Sequence, residues 1–253
     1  MTQPLVSADH DGIRVLTLNR PDARNALSRN LVESLFDALC AADDDEAVSV
    51  VVLTGADPAF CAGVDLKEAA RRGRDYFEVY ESHNCVTRVG EMRTPVIGAV
   101  NGPVFTGGLE IALGCDFLIA SERAIFGDTH AHVGILPGGG MTARLPQLVG
   151  AAMARRMSMT GEIVDARRAE QIGLVTEVVA HADLMPRALE LAAQIASVPR
   201  ATMRGLKEIY QRGSAAVIGP GLAAEQAIAG SHAPAGDLDQ AYRRVAERNR
   251  RQR

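Results

Sequence analysis

The chain has 253 residues, enough for one large hydrophobic core with a smaller appendage. Its 47% hydrophobic and 23% charged content is that of a folded globular protein and excludes a disordered or fibrous one. With no tryptophan and only 4% aromatics it is a poor base-stacking platform, and a formal charge of −4 gives no overall pull toward nucleic acid or an anionic membrane, the basic tail "RRVAERNRRQR" being the local exception.

No apolar run reaches the roughly 18 residues of a membrane span. The first fifteen residues lack the charge-then-apolar pattern of a secretory signal, and the last three form neither a peroxisomal nor a prenylation signal. A cytoplasmic location is the expectation. The four cysteines, Cys40, Cys61, Cys85 and Cys115, have no CxxC spacing and read as small buried thiols.

In chain order, "GIRVLTLNRP" is a β-rich run closed by a turn signal. The stripe Leu27, Leu31, Leu35, Leu39 predicts a helix with Ser28 as N-cap, ended by the acidic run Asp43–Glu46. "VSVVVLTG" is nearly all β-branched, as a strand buried on both faces requires. A helix-rich stretch covers roughly 64–92. "TPVIGAVNG" predicts a second buried strand, "GGLEIALGCD" a short helix opened by Gly107 and Gly108, and "DFLIAS" a third strand. "DARRAEQIGLVTEVVA" reads as N-cap, helix, glycine stop at Gly173 and strand. Beyond about residue 181 only helical signals appear, broken at Pro199 and near Gly219–Pro220. Strands alternating with helices, then helices alone, predict an α/β core with a helical C-terminal extension.

Two strand-to-loop junctions carry glycine, "AFCAGVDLKE" and "NGPVFTGGLE". Ligands of α/β sheets sit at the carboxyl ends of strands, and glycine lets backbone N–H groups approach them. A site for an anionic oxygen follows; ordinary turn glycines are the alternative. The Walker and dinucleotide fingerprints GxxxxGK[ST] and GxGxxG are absent, and "PGGG", Pro137 to Gly140, reads as a tight loop. Glu110, in the first turn after Gly107–Gly108, has two readings. Either the dipole of its own helix stabilises it, or its apolar neighbours raise its pKa for proton transfer.

"FCAGVDLKE", "PVIGAVNGPVFTGGLEIALGCDFLIAS" and "FGDTHAHVGILPGGGMTARLPQLVG" together resemble the crotonase, or enoyl-CoA hydratase/isomerase, superfamily. "LTLNRPDARNALS" and "GEIVDARRAEQIGLVTEVV" extend the resemblance over about residues 5–212. It implies a spiral of ββα units over residues 1–195 carrying an acyl-CoA site. A C-terminal helical region, 196–253, would mediate a homotrimer or a dimer of trimers. It further implies an oxyanion hole from the backbone N–H groups of Val64 and Gly107, which would hold the thioester carbonyl. Arg24, Ala62, Asp65, Leu66 and Lys67 would lie along the CoA passage, although Arg24 and Lys67 read equally well as solvated surface charges. The acyl end would be covered by residues 66–87. No metal or separate cofactor is implied, since coenzyme A enters as part of the substrate.

Hydratases of this family place two glutamates around one water. The first matches Glu110; the second position is His130 here. An imidazole titrates near neutrality and has similar reach, so Glu110 and His130 are the candidate acid/base pair of a hydro-lyase that adds water to a 2-enoyl-CoA. The alternatives are another enolate reaction on an acyl-CoA (isomerisation, decarboxylation or thioester hydrolysis) or acyl-CoA binding without catalysis. Asp128 is a candidate for orienting the imidazole, and His132 reads as structural.

Overall fold

The computed structural model describes residues 3–232 together with Gln240 and Arg243. Its centre is β3 (Val50–Gly55), every residue of which is buried. Val50 and Val52 face one way, with Ile13, Val15, Ile97, Ala99 and Ile119, onto Leu184, Ala188 and Ala192 of helix α9 (Leu184–Ala196). Val51 and Leu53 face the other way into the main core, with Leu16, Leu18 and the leucine stripe of α1 (Arg29–Asp44). Two covered faces explain the unbroken β-branched run: each such side chain contributes about 1.5–3 kcal/mol by leaving water.

Around β3 the six-stranded sheet has the order β1-β2-β3-β4-β6-β9, with β1 (Leu5–His10), β2 (Ile13–Leu18), β4 (Val96–Val100), β6 (Phe117–Ser121) and β9 (Glu177–Val179). Only β1 is antiparallel to its neighbour. β1 pairs with β2 through a turn in which Asp11 and Gly12 both have positive φ. Asp-Gly is a hairpin signal, so the first strand was readable from that dipeptide. A second sheet of three short strands, β5 (Val104–Phe105), β7 (Ile125–Gly127) and β8 (Ile163–Asp165), has no distinct sequence signal.

Ser28 Oγ accepts the Leu31 N–H and caps α1, and Asp165 caps α8 (Ala166–Gln171) by accepting from Arg168 N at 2.7 Å. The stretch expected to be helix-rich is broken into α2 (Leu66–Arg72), a 3-10 turn (Gly73–Tyr76), α3 (Val79–Ser82) and α4 (Cys85–Glu91). The acidic run does more than end α1. Asp43 is buried and accepts from the amides of Arg93 and Thr94, and it pairs with Arg88 and Arg93. Burial opposes its ionisation, but the Thr94 amide and the two arginines overcome this and hold its carboxyl at a pKa of about 2.

One expectation fails at Gly219–Pro220, where no break occurs. Helix α10 runs unbroken from Arg200 to Ser231 with Pro220 inside it. A proline inside a helix costs roughly 3 kcal/mol. Here the helix is held on both sides of that residue, because Gly221 lies against Ala143 of α6 (Met141–Val149), Lys207 pairs with Asp116 at 2.7 Å and Glu225 bonds to the start of α6. The interruption between α9 and α10 falls at 197–199. α10 folds back over the core of its own chain instead of leaving it. The remainder of the predicted helical region, and the basic tail apart from Arg243, lie outside the described residues.

Candidate active site

The backbone side of the site comes from the ends of β3 and β4. β3 leads into the loop 56–65, which is anchored by buried Asn25: its Nδ2 donates to the carbonyls of Ala56 (2.8 Å) and Ala59 (2.6 Å). This gives "RPDARNALS" a structural purpose. The same loop is strapped to the next one, as Cys61 bridges Val104 and Phe105 N donates to Cys61 O at 3.0 Å. Gly63, at φ +84°, lies so close to Thr106 that a Cβ there would sit 1.7 Å from Thr106 Oγ1. Thr106 itself has φ 46° and ψ −122°, an unfavourable conformation for a β-branched residue, at the sharp reversal into α5 (Gly107–Gly114).

This reversal turns the first amides of α5 outward. Among the described residues, neither the Val64 N–H nor the Gly107 N–H has a hydrogen-bond acceptor. Val64 is bridged to Leu27 by its neighbours, Leu27 N to Gly63 O and Asp65 N to Leu27 O, so its own amide points away from that bridge. Both residues line a cavity of about 790 Å³, together with Glu110 and His130.

Glu110 is buried on α5, but its carboxylate does not serve the N-terminus of that helix. Oε1 accepts from Gly139 N (2.8 Å) and Met141 N (3.3 Å), at the start of α6. The "PGGG" loop is therefore the cradle of the carboxylate. A Cβ on Gly139 would meet Val86 Cγ1 at 2.2 Å and Glu110 Oε2 at 3.0 Å, which leaves room only for glycine. Burial, with the nearby charge of Glu225, raises the Glu110 pKa; His130 and the two amides only partly oppose this.

His130 reaches the site through the small sheet. β5 and β7 pair in parallel, Phe105 opposite Gly127, which sets the loop after β7 beside the turn before α5. Asp128 Oδ1 then accepts twice from His130, from its backbone N at 3.2 Å and from its ring Nδ1 at 2.7 Å. An aspartate that binds the amide two residues on folds the chain back on itself; this is how residues two apart come to meet. With Nδ1–H given to Asp128, Nε2 faces Glu110 Oε2 at 3.7 Å. Burial pulls the His130 pKa down, but Asp128, Glu110 and Glu225 outweigh it and the net shift is upward. Burial likewise opposes ionisation of Asp128, and bonds from His130 and Ser158 hold its carboxyl below the ordinary range. Each of Glu110 and His130 thus acts on the protonation of the other: the imidazolium favours the carboxylate and the carboxylate favours the imidazolium.

The remaining expected residues separate. Arg24, Ala62 and Leu66 line a smaller cavity of about 70 Å³ that shares Val64, His130 and Ile135 with the larger one. Asp65 is committed elsewhere: its carboxylate caps α2 by accepting from Glu68 N at 3.0 Å and pairs with Arg20 at 2.9 Å. Lys67 is exposed on α2. The large cavity is walled on its far side by the broken segment, including Phe77, Tyr80 and Val86, and by Gln226 and Ala229 of α10. His132 is exposed and bonds the carbonyl of Thr160 at 2.9 Å, away from Glu110. Among the described residues no three potential metal ligands converge, and no helix is long and apolar enough to cross a membrane. All four cysteines are free. Sequence reasoning missed Glu225 and Arg144. The latter is a half-buried cation whose Nη1 donates to Gly139 O at 2.8 Å, and its one local signal is a charge in a mostly apolar helix.

Known proteins share the sequence and the architecture of this chain. Residues 8–251 match the family model described as enoyl-CoA hydratase/isomerase. The chain is 35% identical to the crotonyl-CoA hydratase of Syntrophomonas wolfei, over 83% of this chain and 82% of that protein. Among solved structures, it is 48% identical to an enoyl-CoA hydratase of Mycobacterium tuberculosis (TM-score 0.82, covering 89% of this chain and 97% of that one). It is 47% identical to an enoyl-CoA hydratase of Mycobacterium smegmatis (TM-score 0.81, covering 90% and 97%). The mixed α/β architecture with its C-terminal helix is the fold of these enzymes, and the chain belongs to the enoyl-CoA hydratase/isomerase family of the crotonase superfamily.

Proposed function

We propose that this protein adds water across the double bond of a 2-enoyl-CoA to give a 3-hydroxyacyl-CoA, with Glu110 and His130 as its acid/base pair. The observation that carries this reading is the approach of His130 Nε2 to Glu110 Oε2, 3.7 Å, beside two unfilled amides in one cavity. The amides of Val64 and Gly107 bind the thioester oxygen, and they bind it more strongly as negative charge moves onto it, so C3 becomes electrophilic. A water lying about 2.8 Å from both Oε2 and Nε2 would subtend an angle of about 83°, a bent but usable bridge. Glu110 takes one proton from that water while its oxygen bonds C3. The electron pair of the C2–C3 double bond moves onto the thioester as an enolate. His130, as imidazolium, then gives its Nε2 proton to C2. The proton on Glu110 returns to His130 across the short gap, and the site is restored with one water consumed.

Arg24, Ala62 and Leu66 form the wall along which the CoA portion enters, and the segment 66–87 with the end of α10 covers the acyl group. Coenzyme A arrives with the substrate and no further cofactor takes part. The exposed apolar side chains Leu206, Tyr210 and Val217, which repeat along one face of α10, support self-association through that face; the assembly we propose is a trimer or a dimer of trimers.

The test is hydration of crotonyl-CoA and longer enoyl-CoAs, followed by loss of enoyl-thioester absorbance, in wild type and Glu110→Gln. Turnover in wild type, lowered by about 10²–10⁴ in the variant while acyl-CoA binding stays within a few-fold, is the expected result. Acyl-CoA binding without turnover on any chain length would instead favour one of the other enolate reactions, or a binding protein.

A further inference from the structure

Four successive amides at the start of α6 are divided between two carboxylates. Gly139 N and Met141 N donate to Glu110, at 2.8 and 3.3 Å. Gly140 N (2.7 Å) and Thr142 N donate to Glu225, which stands on α10, 85 residues away from Gly140 in sequence. Glu225 and Lys207 are the two buried residues of α10. A buried carboxylate is costly to desolvate unless its oxygens are bonded; here both are, at a helix end that favours negative charge. The turn thus has two sides, one gripping the reacting carboxylate and the other gripping α10.

We infer that Glu225 is a positioning residue for the proton-transfer pair: acting through the turn 139–142, it fixes the amides that aim Glu110 at His130. The inference rests on the hydratase reading for its activity readout only. A purely architectural tie between α10 and α6 would need no particular charge. Glu225 does supply one. The groups facing it are Glu110 on α5, His130 with its partner Asp128 on the loop after β7, and Arg144 on α6, which also feels Glu91 of α4. The like charge of Glu225 pushes the Glu110 pKa up, and the same charge pushes that of His130 up. The next residue along α10, Gln226, lines the cavity itself. Seating of α10 and the geometry of the pair are therefore coupled.

The experiment compares wild type with Glu225→Gln, Glu225→Ala and, as a control for charge on α10, Glu208→Gln, an exposed partner of Arg212. Three readouts are taken: the pH profile of crotonyl-CoA hydration, NMR titration of the His130 ring, and thermal melting. In Glu225→Gln one amide loses its acceptor and the negative charge is gone. The expected result is kcat lower by about 10–100-fold, as small displacements from a productive geometry produce, with KM within about threefold and the His130 titration moved to lower pH. Glu208→Gln should match wild type. A Glu225→Gln protein that melts earlier but keeps the wild-type kcat and His130 titration would overturn the inference and leave Glu225 as a tie between helices. If Glu225→Ala does not fold, Glu225→Gln decides. If wild type turns over no enoyl-CoA, the hydratase reading fails, and the His130 titration alone still decides whether Glu225 acts on the pair.

Discussion

In the proposed reaction, the thioester side of the cavity is made by two backbone amides, Val64 and Gly107. They are held by a bridge between two loops and by Gly63 pressed against Thr106. On the opposite side the proposed acid/base groups are side chains, Glu110 and His130, each held by something borrowed from elsewhere: the amides of Gly139 and Met141 for the first, Asp128 for the second. The first side is fixed by close packing and has no adjustable part. The second is fixed by hydrogen bonds among titratable groups, so its geometry and its protonation change together. Substitutions on the packed side should therefore act nearly independently of pH, whereas those on the bonded side should move the pH profile.

Gly63→Ala probes the packed side and should have the largest effect. Its methyl would need space occupied by Thr106 Oγ1, and its φ of +84° is unfavourable to any L side chain. The two loops must part, and the Val64 and Gly107 amides lose their shared place on the cavity wall. Loss of a single oxyanion donor costs about 10²–10³ in rate. The variant should lose at least that much in kcat/KM at every pH tested, and melt earlier. A merely shifted pH optimum would contradict the division between the two sides.

The packed side was also the more legible in sequence. Glycine-containing junctions directly after buried β-branched runs mark backbone that approaches a ligand, and the short-range signals at Ser28, Asp165 and Gly173 identify caps and stops at their own positions. The bonded side was legible by residue type but not by arrangement. Glu110 stood out as a carboxyl among apolar residues, yet its partners are at 139 and 141, on a different helix from the one it starts. Glu225 sits in a helix whose proline pointed to a break, and nothing local says that its carboxylate is buried. Such contacts follow from topology: β5 beside β7, and α10 laid back over α6. The small sheet that creates the first of these is built from strands of two or three residues, too short for alternation to register.

Asp128→Asn probes the bonded side with an intermediate effect. The amide can still accept from Nδ1–H, so the ring stays in place, but the negative charge that favours imidazolium is removed. In wild type His130 gains its proton at a higher pH than an ordinary histidine, so the limb that requires imidazolium lies on the alkaline side of the profile. Neutralising position 128 should draw that limb to lower pH and reduce kcat near neutrality about tenfold, a part of the 10²–10⁴ that positioned proton transfer supplies. The same linkage acts on stability. His130, with its raised folded pKa, stabilises the fold below the ordinary histidine pKa, and that contribution is lost as pH rises through the folded value. Asp128, with its lowered folded pKa, stabilises the fold above the ordinary aspartate range and loses this as pH falls through its folded value. Asp128→Asn should therefore flatten the melting temperature against pH at both ends, which thermal melts across the range would show.

His132→Ala should have the smallest effect, and it separates chemistry from decoration within one loop. His132 lies two residues beyond His130 and is of the same type, but its ring is exposed and its Nε2 bonds the Thr160 carbonyl at the end of α7 (Ala151–Thr160). The 3-10 turn at Ala131–Val133 rotates the two imidazoles to opposite sides, one into the cavity and one toward the neighbouring helix end. Truncation removes one partly solvated hydrogen bond, worth about 0.5–1.5 kcal/mol, and touches neither Glu110 nor Asp128. Melting should drop slightly, while kcat, KM and both limbs of the pH profile coincide with those of wild type. A shifted limb in His132→Ala would mean that the loop carries charge from its outer face to its inner one. The bonded side would then extend beyond Glu110, Asp128, His130, the amides that hold them and Glu225, to the outer face of the loop.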